Sequence, residues 1–118
     1  MRLTRHVFDE IMASLSLVMP RPPSGAGPHR MTELPAMSCA VYIACDPDHE
    51  VEYVGKVRRR GKKGLASRLS HHHVPQATWE TMWIVPLREN LSDQDVRQVE
   101  AVLVARLRPR QNTSKSAA

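Results

Sequence analysis

The sequence is poor in aromatic side chains and in cysteine. Its five aromatic residues are Phe8, Tyr42, Tyr53, Trp79 and Trp83. This number is too small for a surface on which single-stranded nucleic acid would stack. The two cysteines, Cys39 and Cys45, cannot form a disulfide framework, and on one strand they would lie about 20 Å apart, beyond bridging distance. We therefore expect an intracellular, cytoplasmic protein.

The sequence also lacks a long apolar run. No stretch approaches the ~20 apolar residues of a membrane-spanning helix. Asp9 and Glu10 interrupt the N-terminal segment where a signal peptide needs its apolar stretch. These absences predict a protein without a membrane partner. At 118 residues, the chain has the length of one small domain.

Basic residues exceed acidic ones and are clustered. The chain has 17 Lys and Arg against 12 Asp and Glu, which gives a net charge of +5. Residues 56–73 contain seven Lys or Arg and three His but no acid, and residues 106–115 contain four Lys or Arg, again without an acid. Two such blocks favour a polyanion such as nucleic acid as the partner; the alternative is a solvated face or a flexible basic loop.

The N-terminal part of the chain has a pattern of its own. Apolar residues from Phe8 onward recur at spacings of three and four, which predicts a helix over 1–19 that ends at the prolines following it. We treat 1–36 as an N-terminal extension, which is either disordered or a docked or dimerising helix. Met31 and Met37 are alternative start sites.

The remainder of the chain predicts one α+β domain. Runs rich in β-branched residues predict strands, and apolar residues at helical spacing predict helices. The predicted strands are 39–45, 52–57 and 81–87, and the predicted helices are 65–73 and 92–108. We expect a small three-stranded, mainly antiparallel sheet flanked by helices over residues 37–113, followed by a flexible tail at 114–118.

The last predicted helix carries a carboxylate on its apolar side. Its apolar residues are Val96, Val99, Leu103 and Leu107. At about 100° per residue, Glu100 falls beside them. A carboxylate in this position costs free energy unless it is paired or binds a cation. Glu100 is therefore either the partner of an arginine at the rim of the core or the ligand of a metal ion.

The shorter predicted helix has the same anomaly. Arg68 and His72 lie on the side of its leucines. His71 and His73 point about 100° to either side of His72, so the three histidines cannot bind one ion from a helix, which weakens a zinc site. We interpret His71 and His73 as surface residues.

Both predicted helices of this basic protein thus carry charged or polar residues on their apolar sides, namely an Arg, a His and a Glu. These residue types are suited to the cleavage of a phosphodiester bond. A Glu can hold a divalent metal ion that polarises the phosphate and stabilises the leaving oxygen. An Arg can bind the charge that develops on the phosphorus centre. A His or a Tyr can take the proton from water.

Two tripeptides support this interpretation. Ala40-Val41-Tyr42 and Tyr53-Val54-Gly55 place two tyrosines with ten residues between them. Together with Arg68, His72, Glu100 and Asn112, in this order and spacing, they resemble the GIY-YIG nuclease domain family over residues 40–112. Ala40 stands where the motif has its first glycine, and this is the departure from the pattern.

The resemblance implies a role for each matching catalytic residue. Tyr42 would be the general base or would orient the attacking water, and Tyr53 would hydrogen-bond the scissile phosphate or the water. Arg68 would stabilise the transition state, and His72 would assist proton transfer or contact phosphate. Glu100 would be the sole protein ligand of one Mg²⁺ or Mn²⁺.

Other residues would bind substrate or support the site. Gly55 would allow close approach of the backbone to phosphate, and Lys56 matches a lysine of some family members. Asn112 would hold the local structure. The basic loop is not part of the motif and is either this protein's own DNA contact or a mobile loop; its cations are Arg58, Arg59, Arg60, Lys62 and Lys63.

The resulting hypothesis is a metal-dependent endonuclease that hydrolyses duplex or branched DNA without an organic cofactor. A single site cuts one strand, so a double-strand break would need a homodimer or two encounters. The alternative is a catalytically inactive nucleic-acid-binding module of the same fold. A third hypothesis is an RNA- or ribosome-associated basic protein whose inward charges are merely paired.

Overall fold

The computed structural model describes residues 1–15, 27–35, 37, 39–58 and 78–112. Its elements, in chain order, are α1 (Arg5–Ser14), β1 (His29–Arg30), β2 (Cys39–Cys45), β3 (Val51–Arg58), β4 (Thr81–Pro86) and α2 (Asp93–Leu107). The fold is α+β, as the sequence predicts. Neither helix in the described part combines the length and the apolar character needed to cross a membrane.

The sheet is antiparallel and has the order β1-β4-β2-β3 in the described residues. The central strand β2 pairs with both β3 and β4, and Tyr42 lies opposite Gly55 on one side and Ile84 on the other. Every residue of β2 is buried, which explains its nearly continuous apolar sequence.

The prediction of three strands is wrong by one, because β1 adds a fourth. His29 of β1 lies opposite Met82 of β4, and Arg30 lies opposite Thr81. A two-residue strand has no hydrophobic alternation, so the sequence cannot show it. Strand β1 pairs with β4 because the rest of the sheet leaves that edge of β4 unpaired.

Both helices pack on the same face of the sheet. The buried side chains of Phe8 and Ile11 of α1 belong to the hydrophobic core on this face. The centres of the Phe8 ring and of the Trp83 ring of β4 are 4.5 Å apart. The Thr4 hydroxyl caps α1 by accepting from the Val7 backbone N–H at 3.3 Å. The N-terminal helix is therefore docked on the sheet; it is shorter than the predicted 1–19, and residues 16–19 lie outside the described part.

The second helix follows its sequence pattern closely. The Ser92 hydroxyl accepts from the Asp95 backbone N–H at 3.1 Å and forms the N-cap. The apolar stripe lies in the core, since Val96, Val99, Leu103 and Leu107 are buried. The helix ends at Arg108, whose left-handed φ of 48° turns the chain before Pro109.

The opposite face of the sheet carries a second core. Its largest side chains are Tyr42, Tyr53 and Trp79, and it also contains Ala40, Ala44, Val57, Met82 and Ile84. Partly buried Met31, Leu34 and Met37 pack against it. The two predicted motif tyrosines therefore lie on the face of the sheet that is opposite to the helices.

Candidate active site on the tyrosine face

The two motif tyrosines meet over Gly55. Gly55 lies directly across from Tyr42 in the β2–β3 ladder. A Cβ at position 55 would collide with the Cζ and Oη of Tyr42 and would lie 2.7 Å from Cε2 of Tyr53. The two phenol rings have their centres 6.2 Å apart. Glycine is thus required at this position by the approach of both rings.

A β-bulge precedes Tyr53 on β3. The ladder pairs Cys45 with Val51 and Ala44 with Tyr53, so Glu52 is an extra residue on β3. Because side chains alternate along a strand, Val51 and Tyr53 would otherwise share a face. Val51 lies instead in the core under the helices, and Tyr53 lies on the other face. The bulge therefore places Val51 in the core under the helices, whereas Tyr53 shares a face with Gly55 by regular alternation.

Asn112 holds the strand that carries Tyr53. Its side-chain Oδ1 accepts from the Val54 backbone N–H at 2.7 Å, and its Nδ2 donates to the Val54 carbonyl at 2.8 Å. The preceding residue, Gln111, donates its backbone N–H to the Glu52 carbonyl at 2.7 Å. Residues 111 and 112 therefore bond the two neighbours of Tyr53 and cover this part of the β3 edge.

Two residues that the sequence does not single out complete this face. The Trp79 ring stacks on the Tyr53 ring with 5.6 Å between centres and 20° between planes. The Trp79 indole N–H donates to the Gln111 side-chain oxygen at 2.7 Å. Trp79 lies 26 residues after Tyr53 in the sequence, so no local spacing connects them. The one available signal is that Gln111 stands beside the motif residue Asn112.

Glu100 lies away from the tyrosines, on the helix-covered face. Its carboxylate is 3.7 Å from the Lys56 ammonium, and the two side chains are 26% and 36% exposed. The helical wheel places Glu100 correctly beside the core, but at its rim. Among the described residues, Lys56 of β3 is a cation at this carboxylate. Both interpretations of Glu100, as the partner of an arginine and as a metal ligand, stay predictions.

Lys56 and Glu100 are separated from the tyrosine pair by the plane of the sheet. Lys56 follows Gly55 directly, and consecutive residues of a strand point to opposite faces. The structure therefore brings together Tyr42, Tyr53 and Gly55, and separately Lys56 and Glu100. Both groups are attached to β3, which is one of the two edge strands of the described sheet.

The predicted substrate-binding cations divide into described and undescribed residues. Arg58, at the end of β3, is 3.4 Å from the Asp93 carboxylate in the first turn of α2, so it faces the helix. The other predicted cations and the predicted helix 65–73 lie outside the described residues; these are Arg59, Arg60, Lys62, Lys63, Arg68 and His72.

A cluster of one exposed arginine and two buried acids stands at the other end of β3. Arg110 is 3.3 Å from the Asp46 carboxylate and 3.1 Å from the Glu52 carboxylate, and both acids are buried. Asp46 also accepts from the backbone N–H groups of Asp48 and Glu50 in the β2–β3 turn. These contacts are structural, since Arg110 joins the segment after α2 to the start of β3.

Neither cysteine is a nucleophile at neutral pH. Burial, with the neighbouring carboxylates of Asp46, Glu52 and Glu50, raises the pKa of the Cys45 thiol to about 12. Burial also raises the pKa of the Cys39 thiol. Both thiols therefore stay protonated, and the thiolate is the form that reacts.

No family model, no curated protein and no solved structure matches this chain. The resemblance to the GIY-YIG family stays a prediction that rests on the motif residues. Within the described residues, no group of three or more His, Cys, Asp and Glu side chains could hold a metal ion.

Proposed function

We propose that this chain is a divalent-metal-dependent endonuclease that hydrolyses phosphodiester bonds in DNA. The observation that carries the proposal is the convergence of Tyr42 and Tyr53 on Gly55. The sequence motif names these three residues, and the regular register of β2 and β3 places both tyrosines on one face of the sheet at Gly55.

The tyrosines are the groups that would handle water and phosphate. Tyr42 takes the proton of the attacking water or orients that water, and Tyr53 hydrogen-bonds the phosphate or the water. Gly55 leaves the space that both phenol rings occupy. Arg68 and His72, which lie outside the described residues, supply the remaining motif chemistry by resemblance alone.

Glu100 of α2 would hold one Mg²⁺ or Mn²⁺. Magnesium is commonly held by one or two carboxylates together with water and substrate phosphate, so a single Glu100 carboxylate is a sufficient protein ligand. A metal ion there would polarise the phosphate and stabilise the leaving oxygen. Lys56, 3.7 Å from the same carboxylate, is available to contact the phosphate.

The geometry restricts where the substrate would bind. The tyrosine pair and the Lys56–Glu100 pair lie on opposite faces of β3, attached at consecutive residues 55 and 56. A phosphate that reaches both pairs would lie at the edge of β3 beside residues 55 and 56, past the part that Gln111 and Asn112 cover. DNA would therefore approach the sheet edge-on, near Arg58 at the end of β3.

A nicking assay on supercoiled plasmid tests the proposal. We expect nicking with Mg²⁺ or Mn²⁺ and none with a chelator. Tyr42→Phe and Tyr53→Phe each lower the rate by about a hundredfold or more while DNA affinity stays within about threefold. Glu10→Gln, an exposed residue of α1, is the matched surface control and cleaves normally.

The second candidate is the inactive nucleic-acid-binding module. The Lys56–Glu100 ion pair favours it, because the carboxylate is compensated without any metal ion. Salt-sensitive DNA binding without nicking in either metal would identify this module. Selective binding of RNA, again without nicking of DNA, would support the RNA-associated protein instead.

A further inference from the structure

Tyr53 is enclosed by contacts that return to its own strand. Its ring stacks on Trp79, the Trp79 indole N–H donates to Gln111, and the Gln111 backbone N–H donates to the carbonyl of Glu52. Glu52 is the residue immediately before Tyr53. Gln111 therefore contacts both the backbone next to Tyr53 and the indole that stacks on the Tyr53 ring.

These contacts restrict the orientation of the Tyr53 phenol ring. Tyr53 and Trp79 are only 5% and 6% exposed, so neither ring can turn without displacing packed neighbours. The direction of the Tyr53 hydroxyl depends on two side-chain torsions, and the stacked indole limits both. The indole itself is held by the 2.7 Å hydrogen bond to Gln111. A rotation of the Trp79 indole would remove the surface on which the Tyr53 ring stacks.

We propose that Trp79 and Gln111 are positioning residues for Tyr53, an inference that rests on the proposed nuclease function. They hold the hydroxyl of Tyr53 where it meets phosphate or water, and they contact neither reactant themselves. The segment after α2 thus has a role beyond covering the sheet edge. Gln111 hydrogen-bonds the residue before Tyr53, and Asn112 hydrogen-bonds the residue after it. Gln111 also orients Trp79, the ring that stacks on Tyr53.

Three variants separate positioning from general destabilisation. Gln111→Leu removes the acceptor at similar size, Trp79→Phe keeps an aromatic ring but removes the N–H donor, and Gln111→Glu restores an acceptor. We expect the first two to lower kcat by about tenfold or more with KM changed less than twofold, because orientation and not binding is lost. Gln111→Glu should retain kcat within about threefold of wild type. Gln98→Leu, on the exposed side of α2, is the matched control and leaves kcat unchanged.

A double-variant test asks whether Gln111 acts through Tyr53. In the Tyr53→Phe background, Gln111→Leu should cause no further loss of kcat, since the hydroxyl that it positions is absent. A full tenfold further loss in that background would overturn the proposal. If Gln111→Leu does not fold, Trp79→Phe in the same background gives the same decision.

A spectroscopic measurement is independent of cleavage. The chain has two tyrosines, so ¹³C-labelled tyrosine gives two sets of ring signals, which Tyr42→Phe assigns. Gln111→Leu should shift the Tyr53 ring signals, and Gln98→Leu should not. Unchanged Tyr53 signals together with unchanged kcat would overturn the positioning role. Normal cleavage by Tyr53→Phe would instead overturn the catalytic role of Tyr53, while the ring signals would still report whether Gln111 orients it.

Discussion

Tyr42 and Gly55 face each other across the β2–β3 ladder, and the tyrosine ring occupies the space where a Cβ of residue 55 would lie. The Tyr42 ring reaches its position only because Gly55 has no side chain, and the ring in turn leaves no room for a larger residue at position 55. The first prediction tests this steric fit.

Gly55→Ala should lower the free energy of unfolding by about 1–3 kcal/mol, because the added methyl group overpacks a site closed by two rings. Chemical denaturation measures the change. In the Tyr42→Ala background the cost of Gly55→Ala should become smaller, since the nearest atoms are removed. An equal cost in both backgrounds would show that the contact with Tyr42 is unimportant.

Asn112→Leu should lower the free energy of unfolding by about 2–4 kcal/mol. The change leaves the Val54 backbone N–H and carbonyl without the amide that bonds both of them in a buried site. Urea denaturation measures the loss, and Gln98→Leu, at an exposed position, should change stability by less than about 0.5 kcal/mol. A loss as small as the control's would mean that water replaces the amide freely.

Glu100→Gln separates the two interpretations of the carboxylate. The ion pair with Lys56 is long and partly exposed, so its loss should cost less than about 1 kcal/mol. Cleavage of DNA in Mg²⁺ should be abolished at nearly unchanged melting temperature, and DNA affinity should hold or rise because a negative charge is removed. Lys56→Gln is the partner control and should weaken DNA binding. A large fall in melting temperature with cleavage per folded molecule preserved would contradict the metal-ligand role of Glu100.

Stability should fall in alkaline solution because of Cys45. The folded thiol has its pKa raised from 9.0 to about 12, so the unfolded thiol ionises first. The contribution is fully present below pH 9 and is lost as the pH rises towards 12, with a slope of up to ~1.4 kcal/mol per pH unit from this group. Denaturation at pH 8, 9 and 10 measures the slope. Cys45→Ala should make it shallower, and an unchanged slope would show that other groups produce it.

Arg108→Gly should raise the free energy of unfolding by up to about 1 kcal/mol. Arg108 ends α2 with a φ of 48°, a conformation that glycine adopts without the steric cost of a Cβ. Thermal denaturation checks the sign. Arg106→Gly, two residues earlier inside the helix, is the matched control and should destabilise by about 1 kcal/mol.

Local pattern in the sequence determined β2 and α2. Seven consecutive apolar residues determined β2, and the spacing of Val96, Val99, Leu103 and Leu107, with Ser92 before them, determined α2 and its buried face. These features depend on residues within a few positions of one another, so periodicity and capping chemistry reveal them. Placing Glu100 at the rim of the core also followed from this spacing.

Only the tertiary structure decided what each site residue touches. The register of β2 and β3 places Tyr53 beside Tyr42, Lys56 meets Glu100, and Gln111 reaches Trp79 from 32 residues along the chain. Strand register and the return of the chain after α2 create these contacts. No local periodicity encodes them, because they depend on which edges and faces remain open once the sheet and helices have packed.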